Sequence, residues 1–252
     1  MSPSAITSSQ PAAPATSRVH NGCLAALSPA AFALLRPHLV EVTMMEGTVV
    51  WEQGSLPDEA FFPISALISI VVPFVAGEGI EVASIGSEAA ICPQFAPTPH
   101  GAPTRGCVYI GGRCLRIPAV QLLAAADRNK EIARLLETCR DWMLAQSQQI
   151  AACNAVHSAE QRLCRWLILS HQRLAGAGLH ATQESIGSAL GIRRTTVTLL
   201  AQNLQTKGLI QYRRGKITIS EPARIEEMAC ECCRALGRKQ WPAARLHDPH
   251  SA

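Results

Sequence analysis

The sequence has no apolar run long enough to cross a membrane. No stretch approaches the ~20 consecutive apolar residues that a membrane-spanning helix needs. The first twenty residues are rich in Ser, Ala and Pro and have no apolar centre, which argues against a secretory signal. This composition favours a flexible tail over residues 1–19.

The motifs of common enzyme classes are also missing. There is no G-x-S-x-G, no H-E-x-x-H and no glycine-rich phosphate loop after a predicted strand. The eight histidines are scattered along the chain. We therefore expect a protein that is not an enzyme, and the one enzymatic alternative is a thiol-dependent activity of the cysteines at 230–233.

Composition and charge indicate a folded chain with two unlike halves. At 252 residues, with 48% hydrophobic and 17% charged residues, the chain is long enough for two domains that each have a core. Residues 1–156 contain 9 basic and 12 acidic residues, whereas residues 157–252 contain 14 basic and 7 acidic residues. The C-terminal part therefore has a net charge of +7 within a total of +4, and an excess of this kind favours a nucleic-acid partner.

The stretch 182–216 has the pattern of two short helices followed by a basic hairpin. Thr182 is a good N-cap for the first helix, and Gly191 suits the left-handed position that ends it. Gly208 ends the second helix, and the alternating segment 209–219 turns at Arg214-Gly215. This order predicts a winged helix-turn-helix, in which the second helix enters the major groove of DNA.

Polar residues on the second helix and the hairpin suit contact with duplex DNA. A guanidinium can form two hydrogen bonds to a guanine edge, and helix N-termini and hydroxyls suit phosphate oxygens. Single-stranded nucleic acid is disfavoured because Tyr212 is the only aromatic residue in the hairpin. The predicted base-edge contacts are Arg193, Arg194, Thr195 and Thr198, and the predicted phosphate contacts are Gln183, Thr196, Arg213, Arg214 and Lys216.

Residues 20–117 contain short β-prone runs separated by glycines. After a possible helix over 29–39, the predicted strands cover 48–51, 60–64, 67–73, 79–85, 106–110 and 113–117. Glycines near the predicted turns include Gly47, Gly54, Gly77 and Gly86. Many short strands at this spacing predict an antiparallel barrel or roll.

A long amphipathic helix is predicted between the roll and the helix-turn-helix, within residues 118–156. Apolar residues recur at spacings of four and three, which is a heptad pattern with Gln146 as a polar interruption. A parallel homodimer would place such a seam between two chains, and the alternative is a long helix packed on its own domain. The seam residues proposed for the dimer are Ile132, Leu136, Cys139, Met143 and Ile150.

The ten cysteines do not suggest a disulfide framework in a chain of this length. Cys139, Cys153 and Cys164 lie among apolar neighbours, where buried thiols are common, and we expect a reducing, cytoplasmic setting. Cys230, Cys232 and Cys233 offer three soft metal ligands, but no paired second cluster is evident. His247 and His250 could complete a site only by folding back, so inert cysteines and no metal are the favoured interpretation, with a thiol- or metal-responsive sensor as the alternative.

The chain resembles the Crp/Fnr family of bacterial transcription regulators in the order roll, long helix, winged helix-turn-helix. Residues 181–198 (ATQESIGSALGIRRTTVT) and 204–219 resemble the family's DNA-binding unit and wing, and 221–232 resembles the segment that follows the wing in one branch. The N-terminal resemblance is carried by 47–54 (GTVVWEQG), Phe61-Phe62-Pro63, 81–88 (EVASIGSE) and 113–119 (RCLRIPA). The resemblance implies a homodimer that binds a palindromic promoter site and recruits or blocks RNA polymerase.

The sequence departs from the family's nucleotide-responsive and iron–sulfur members. Gly86, Glu88 and Arg105 could correspond to the family's cyclic-nucleotide pocket, but Gly106 and Cys107 follow the arginine where that pattern has Ser or Thr and Ala. The stretch 92–104 is proline-rich and poorly suited to hold an arginine against a phosphate. Only Cys23 lies near the N-terminus, which argues against an iron–sulfur cluster. We expect no cofactor and no cyclic nucleotide.

The fold class expected from these patterns is α+β. An effector-type roll over 20–117 precedes the helix of 118–156 and the winged helix-turn-helix of 157–235, and tails cover 1–19 and 236–252. Leu199 stands where the nucleotide-responsive members carry a second arginine, so the preferred DNA site should differ from theirs.

Overall fold

The computed structural model describes residues 6–7, 20–74, 79–92, 101–174, 178–237 and 241–242. The two predicted tails fall largely outside these ranges, as do Gly77, His247, His250 and most of the loop 92–104. Within the first tail, Ile6–Thr7 forms a two-residue strand, β1.

The N-terminal domain is the predicted antiparallel roll. Its elements are α1 (Gly22–Ala25), α2 (Pro29–Leu35), a 3-10 turn (Arg36–His38), β2 (Val40–Met44), β3 (Val49–Trp51), β4 (Glu59–Pro63), β5 (Leu67–Pro73), β6 (Gly79–Ile85), β7 (Arg105–Ile110) and β8 (Gly112–Pro118). The strands form two sheets, in the orders β1-β2-β8-β4 and β3-β7-β5-β6, and every pairing is antiparallel. The six predicted strands are confirmed, and β2 was not predicted.

The central segment consists of two helices, α3 (Ala119–Arg128) and α4 (Lys130–Val156), where the sequence suggested one region from 118 to 156. They are separated at Asn129, whose backbone is extended and whose side-chain oxygen accepts hydrogen bonds from the amides of Glu131 and Ile132. This N-cap restarts the helix in a new direction, and a cap of this type is worth about 1 kcal/mol.

The predicted dimer seam on α4 is buried inside its own chain. Ile132, Leu136 and Cys139 are inaccessible and belong to the main core, and the Cys139 sulfur lies 3.5 Å from that of Cys23 on α1. Ile150 is also buried, and Met143 is half-buried against the same core. The assignment of the four buried residues to a partner contact is therefore wrong, whereas Met143 keeps part of its surface exposed. A heptad pattern identifies an apolar stripe but not what covers it, and here the roll and the C-terminal domain cover it.

The C-terminal head, residues 157–235, is the predicted winged helix-turn-helix. It contains α5 (Ala159–Arg173), β9 (Leu179–His180), α6 (Gln183–Leu190), α7 (Arg194–Thr206), β10 (Ile210–Arg213), β11 (Lys216–Ile219), α8 (Pro222–Met228) and α9 (Cys232–Ala235). The wing is the β10–β11 hairpin, to which β9 adds a third strand that the sequence did not predict. The α+β fold class is confirmed.

Arg173, at the end of α5, joins all three parts of the chain. Its Nε lies 3.0 Å from Oε1 of Glu88 in the roll, close enough for an ion pair although not aligned for a hydrogen bond. Its terminal nitrogens donate to the hydroxyl of Ser84 (2.6 Å) and to the side-chain oxygen of Gln146 on α4 (2.8 Å). The carbonyl of Arg173 also accepts hydrogen bonds from Ser87. We call this set the Arg173 junction, and it fixes the head to the roll and to α4.

Candidate nucleic-acid interface

Glycine allows α6 and α7 to cross at short distance. A Cβ at Gly187 would lie 2.8 Å from the carbonyl oxygen of Ile192, so any larger residue would push the turn apart. Gly191 ends α6 in the left-handed conformation, with φ of 62°. Thr182 and Ser185 form a capping box at the start of α6. These local features fix the angle at which α7 leaves the head.

α7 turns one face to the outside of the molecule. Arg193 is its N-cap residue, and Arg194 and Thr195 occupy its first turn with exposed side chains. Leu199 (67% exposed) and Gln202 continue the same face at helical spacing. The opposite face, with Val197, Ala201 and Leu204, is buried in the core. Gln202 was not among the predicted contact residues, although its position seven residues after Thr195 could have placed it there.

Thr198 is less available than the sequence suggested. Its hydroxyl is 2.6 Å from the side-chain oxygen of Gln183 and 3.0 Å from the carbonyl oxygen of Arg194, and its single proton serves these internal acceptors. The side chain is half-buried between α6 and α7. The bond ties Gln183 to α7 and leaves the amide nitrogen of Gln183 as the donor that could meet a phosphate.

The wing presents three cationic side chains around its tip. Arg213 pairs with Lys216 across the hairpin, and all of Arg213, Arg214 and Lys216 are exposed. The turn residues Arg214 and Gly215 have φ of 49° and 79°, as a two-residue type I′ hairpin requires. The predicted turn is confirmed, and Arg214 occupies a conformation that is uncommon for residues other than glycine.

A groove of ≈ 500 Å³ separates the wing tip from the two helices. It is lined by polar and charged residues, among them Gln183, Glu184, Arg194, Gln202 and Arg214. The nearest counter-charge to Arg194 is Glu184, at 4.0 Å between two exposed side chains, which is a weak interaction in water. Thr196 is half-buried beside the start of α7, near the free amides of that helix end.

The residues predicted for an effector pocket are not brought together. Glu88 is fully buried against Arg173, and its carboxylate accepts a hydrogen bond from the amide of Gly86. A Cβ at Gly86 would lie 2.6 Å from Cβ of Arg173, so Arg173 fills the space beside this turn. Arg105 instead pairs with Glu52 at 3.2 Å. The prediction of one pocket formed by Gly86, Glu88 and Arg105 is therefore wrong.

The cysteines show an arrangement that the sequence did not predict. Cys233 is buried in the main core, apart from Cys230 and Cys232. Cys153 and His157, at the end of α4, lie beside Cys230 and Cys232. Burial raises the pKa of Cys153 to about 12 and also raises that of Cys230, so free thiols here are poor nucleophiles. The signal that could have found the group is the spacing of Cys153 and His157, four residues apart on one helix.

None of the helices among the described residues is both long and apolar enough to cross a bilayer.

Comparison with known proteins gives one family match. Residues 161–228 match the family of Crp-like helix-turn-helix domains. No curated protein matches the sequence of the chain.

Several solved structures share the fold. FixK2 from Bradyrhizobium japonicum is 15% identical, with a TM-score of 0.63 over 76% of this chain and 98% of its own. The c-di-GMP responsive global regulator CLP of Xanthomonas campestris is 15% identical, with a TM-score of 0.60 over 76% and 99%. TTHA1359, a transcriptional regulator of the CRP/FNR family from Thermus thermophilus, is 20% identical, with a TM-score of 0.55 over 75% and 97%.

Proposed function

We propose that this chain, whose residues 161–228 form a Crp-like helix-turn-helix domain on the fold of Crp/Fnr regulators, is a homodimeric, sequence-specific DNA-binding transcription regulator and not an enzyme. The observation that carries the proposal is the outward face of α7 beside the basic wing. Arg194 and Arg214 line the same groove, and the exposed cations of the two elements are Arg193, Arg194, Arg213, Arg214 and Lys216.

In this proposal α7 lies in the major groove and discriminates bases through its first turns. Arg193 and Arg194 each carry a guanidinium that can hold a guanine edge with two hydrogen bonds, which is worth about 1–3 kcal/mol of discrimination. Thr195, Leu199 and Gln202 continue the face, and Leu199 offers apolar contact where an arginine would offer hydrogen bonds. Thr198 acts mainly by holding Gln183.

The remaining polar residues hold the DNA backbone. Gln183 and Thr196 lie near helix N-termini, where free amides favour phosphate oxygens. Arg213, Arg214 and Lys216 place the wing's positive charge against a flanking phosphate row. These contacts set orientation and total affinity but carry no sequence information of their own.

The dimer contact proposed here lies on the face of α4 opposite the predicted seam. Residues 142–156 contain no charged side chain, although Leu144 (57% exposed), Gln148, Ala151 and Ala155 face outward at spacings of four and three. A helix face that stays in water normally carries charge. Coverage by the same face of a second α4, in a parallel pair, would explain the composition.

We propose that regulation does not use a cyclic nucleotide at Gly86, Glu88 and Arg105. Glu88 is paired with Arg173 from the head and Arg105 is paired with Glu52, so these residues offer a phosphate no shared cationic site. The chain would act in the cytoplasm and recruit or block RNA polymerase once bound near a promoter.

Selection of bound duplexes from a random pool by the full-length protein tests the proposal. We expect inverted half-sites whose centres lie about one helical turn apart, because two paired α7 helices face the same side of the duplex. A protein with Arg224→Ala, an exposed change on α8, is the matched control and should select the same sites. Unpaired sites would refute the dimer, and binding without sequence preference or salt dependence would refute the assignment of α7.

A further inference from the structure

Four metal-ligand side chains meet where α4 ends. Cys153 lies on the last turn of α4 and His157 is the C-cap residue of that helix. Cys230 and Cys232 follow α8, more than seventy residues later in the chain. Their ligand atoms, three sulfurs and one ring nitrogen, all lie within 4.8 Å of one another. We propose that Cys153, His157, Cys230 and Cys232 form a tetrahedral site for a structural zinc ion.

The distances are those of a tetrahedral site. Zn–S bonds of ~2.3 Å and Zn–N bonds of ~2.0–2.1 Å place two sulfurs about 3.8 Å apart and a sulfur and a nitrogen about 3.5 Å apart. The sulfurs of Cys153 and Cys230 are 3.5 Å apart, and the sulfur of Cys232 is 3.7 Å from Nδ1 of His157. Only small side-chain rotations separate this arrangement from full coordination.

His157 already has the environment of a zinc-bound imidazole. Its Nε2 lies 3.1 Å from a carboxylate oxygen of Glu231, while its Nδ1 faces Cys232. A metal-bound histidine commonly donates its other ring N–H to a carboxylate, which fixes the tautomer and the ring orientation. Glu231 lies between Cys230 and Cys232 in the sequence. This three-residue segment therefore supplies two of the sulfur ligands and also the carboxylate that contacts His157.

A second polar contact supports Cys232. The amide nitrogen of Gln149 lies 3.0 Å from the Cys232 sulfur, one helical turn before Cys153 on α4. Outer hydrogen bonds of this kind orient metal ligands and tune their basicity. Gln149, Cys153 and His157 thus form a row at positions i, i+4 and i+8 that faces the Cys230–Cys232 segment.

The site is closed, as structural zinc sites are. Cys153, Cys230 and Cys232 form a buried cluster of their own, and only the His157 ring is partly accessible. Four protein ligands leave no open position for water or substrate, which separates structural from catalytic zinc. A disulfide between Cys153 and Cys230 would use two of these groups and would explain neither Cys232 nor the paired His157.

Charge at the site is also balanced. Three thiolates and one Zn²⁺ carry a net charge of −1, and Arg165 on α5 is a buried cation whose Nε has no hydrogen-bond partner among the described residues. Arg165 lies on α5, which contacts α9, the helix that begins at Cys232. The guanidinium would thus offset the anionic centre.

The ion would tie the end of α4 to the segment that follows the wing. Both α4 and α5 contact α9, so zinc would fix the C-terminal part of the head against α4. Binding would displace the thiol protons and stabilise the folded chain by an amount that grows with the logarithm of the free metal concentration.

Zinc content and cobalt substitution of the full-length protein test the site. We expect one zinc per chain after purification under reducing conditions, and with Co²⁺ alone the visible absorption of a tetrahedral thiolate complex. Cys230→Ser and His157→Ala should lose the ion or the cobalt spectrum. Cys233→Ser is the matched control, because Cys233 is buried nearby but outside the group, and it should keep one equivalent.

Glu231→Gln keeps the test decisive if a ligand variant fails to fold. Its carboxylate is exposed, so the fold should persist while zinc affinity, measured by competition with a chelator, falls about 10–100-fold. The proposal would be overturned if the unaltered protein held less than one zinc per chain, or if Cys230→Ser bound zinc with unchanged affinity. A Cys153–Cys230 disulfide, found by mass spectrometry in protein purified under reducing conditions, would also overturn it.

Discussion

The inward and outward faces of the molecule use the same residue types differently. On the inward side of the head, Arg173 is 3% exposed and contacts both the roll and α4. On the outward side, Arg193, Arg213 and Arg214 are exposed and form no ion pair among the described residues. α4 shows the same contrast, since Gln146 is buried and bonded whereas Leu144 lies uncovered.

This contrast separates side chains that contribute to folding stability from side chains that are available to bind a partner. A buried arginine that is paired with a buried carboxylate is part of the fold, because its loss leaves an uncompensated charge. An exposed arginine contributes little to folding, and its donors stay open to the DNA contact proposed above. Substitutions on the two sides should therefore change different measurements.

The largest effect is expected for Arg173→Met at the Arg173 junction. Glu88 would remain buried without its cation, and removing one partner of a buried pair typically costs about 3–5 kcal/mol. Urea unfolding should show a lower midpoint, with Arg224→Met as a matched exposed control that changes stability little. An unchanged midpoint for Arg173→Met would show that the junction does not stabilise the fold.

The same variant should become less stable as pH rises. Burial raises the pKa of Glu88 above 4.5, while Arg173 and the backbone amides oppose the rise. Without Arg173 the folded-state pKa climbs further, so the folded state binds more protons than the unfolded state above pH 4.5. Stability should therefore fall between pH 4.5 and the new pKa, and a flat profile for the variant relative to the parent would contradict this.

A charge on the outward face of α4 should have the next largest effect. Leu144→Asp would remove a leucine contact worth about 1.5–3 kcal/mol per protomer and place carboxylates face to face. Sedimentation should show a shift from dimer to monomer, with little change in the unfolding of the monomer. Leu34→Asp, at another exposed leucine on α2, is the control. If Leu144→Asp remained a dimer at low concentration, the dimer contact would have to lie on another surface.

Arg194→Ala should weaken specific DNA binding by about 1–3 kcal/mol and relax preference at one base pair. The urea midpoint should be unchanged, because the side chain has only a long contact to Glu184. Binding measured on the selected site and on single-base variants checks both points. If affinity and preference stay the same, Arg194 does not contact a base.

Lys216→Ala should have the smallest effect. A wing cation that neutralises one phosphate releases about one counterion, so the slope of log K against log salt should fall by about 1 for all sequences alike. Lys207→Ala removes the same charge at the far end of α7, where Lys207 pairs with Glu160, and should leave the slope unchanged. If the two variants showed the same slope, the wing would not contact the DNA backbone.

Local chemistry made much of the fold predictable. Thr182, Gly191, Gly208 and the Arg214-Gly215 turn determine backbone conformation within a few residues, and the structure confirms each of them. The short strands of the roll were predictable for the same reason. Strand β2 was missed although Val40–Met44 alternates apolar and polar residues.

Contacts between distant segments could not be predicted. The covering of the α4 seam depends on how the roll and the head pack, and the periodicity of α4 is the same for either cover. Arg173 looked like an ordinary basic residue at a helix end, yet it bonds to residues 85 and 27 positions away. The meeting of Cys153 with Cys230 likewise depends on where the chain returns after the wing.

The positive φ of Arg214 has a consequence for engineering. Glycine would relax the hairpin at this point, since a left-handed backbone costs other residues about 1 kcal/mol or more. A redesign that ranked substitutions by thermal stability alone would favour Arg214→Gly and would remove a cation from the edge of the wing that we propose faces the duplex. At this position, a substitution that raises folding stability should lower the affinity for DNA.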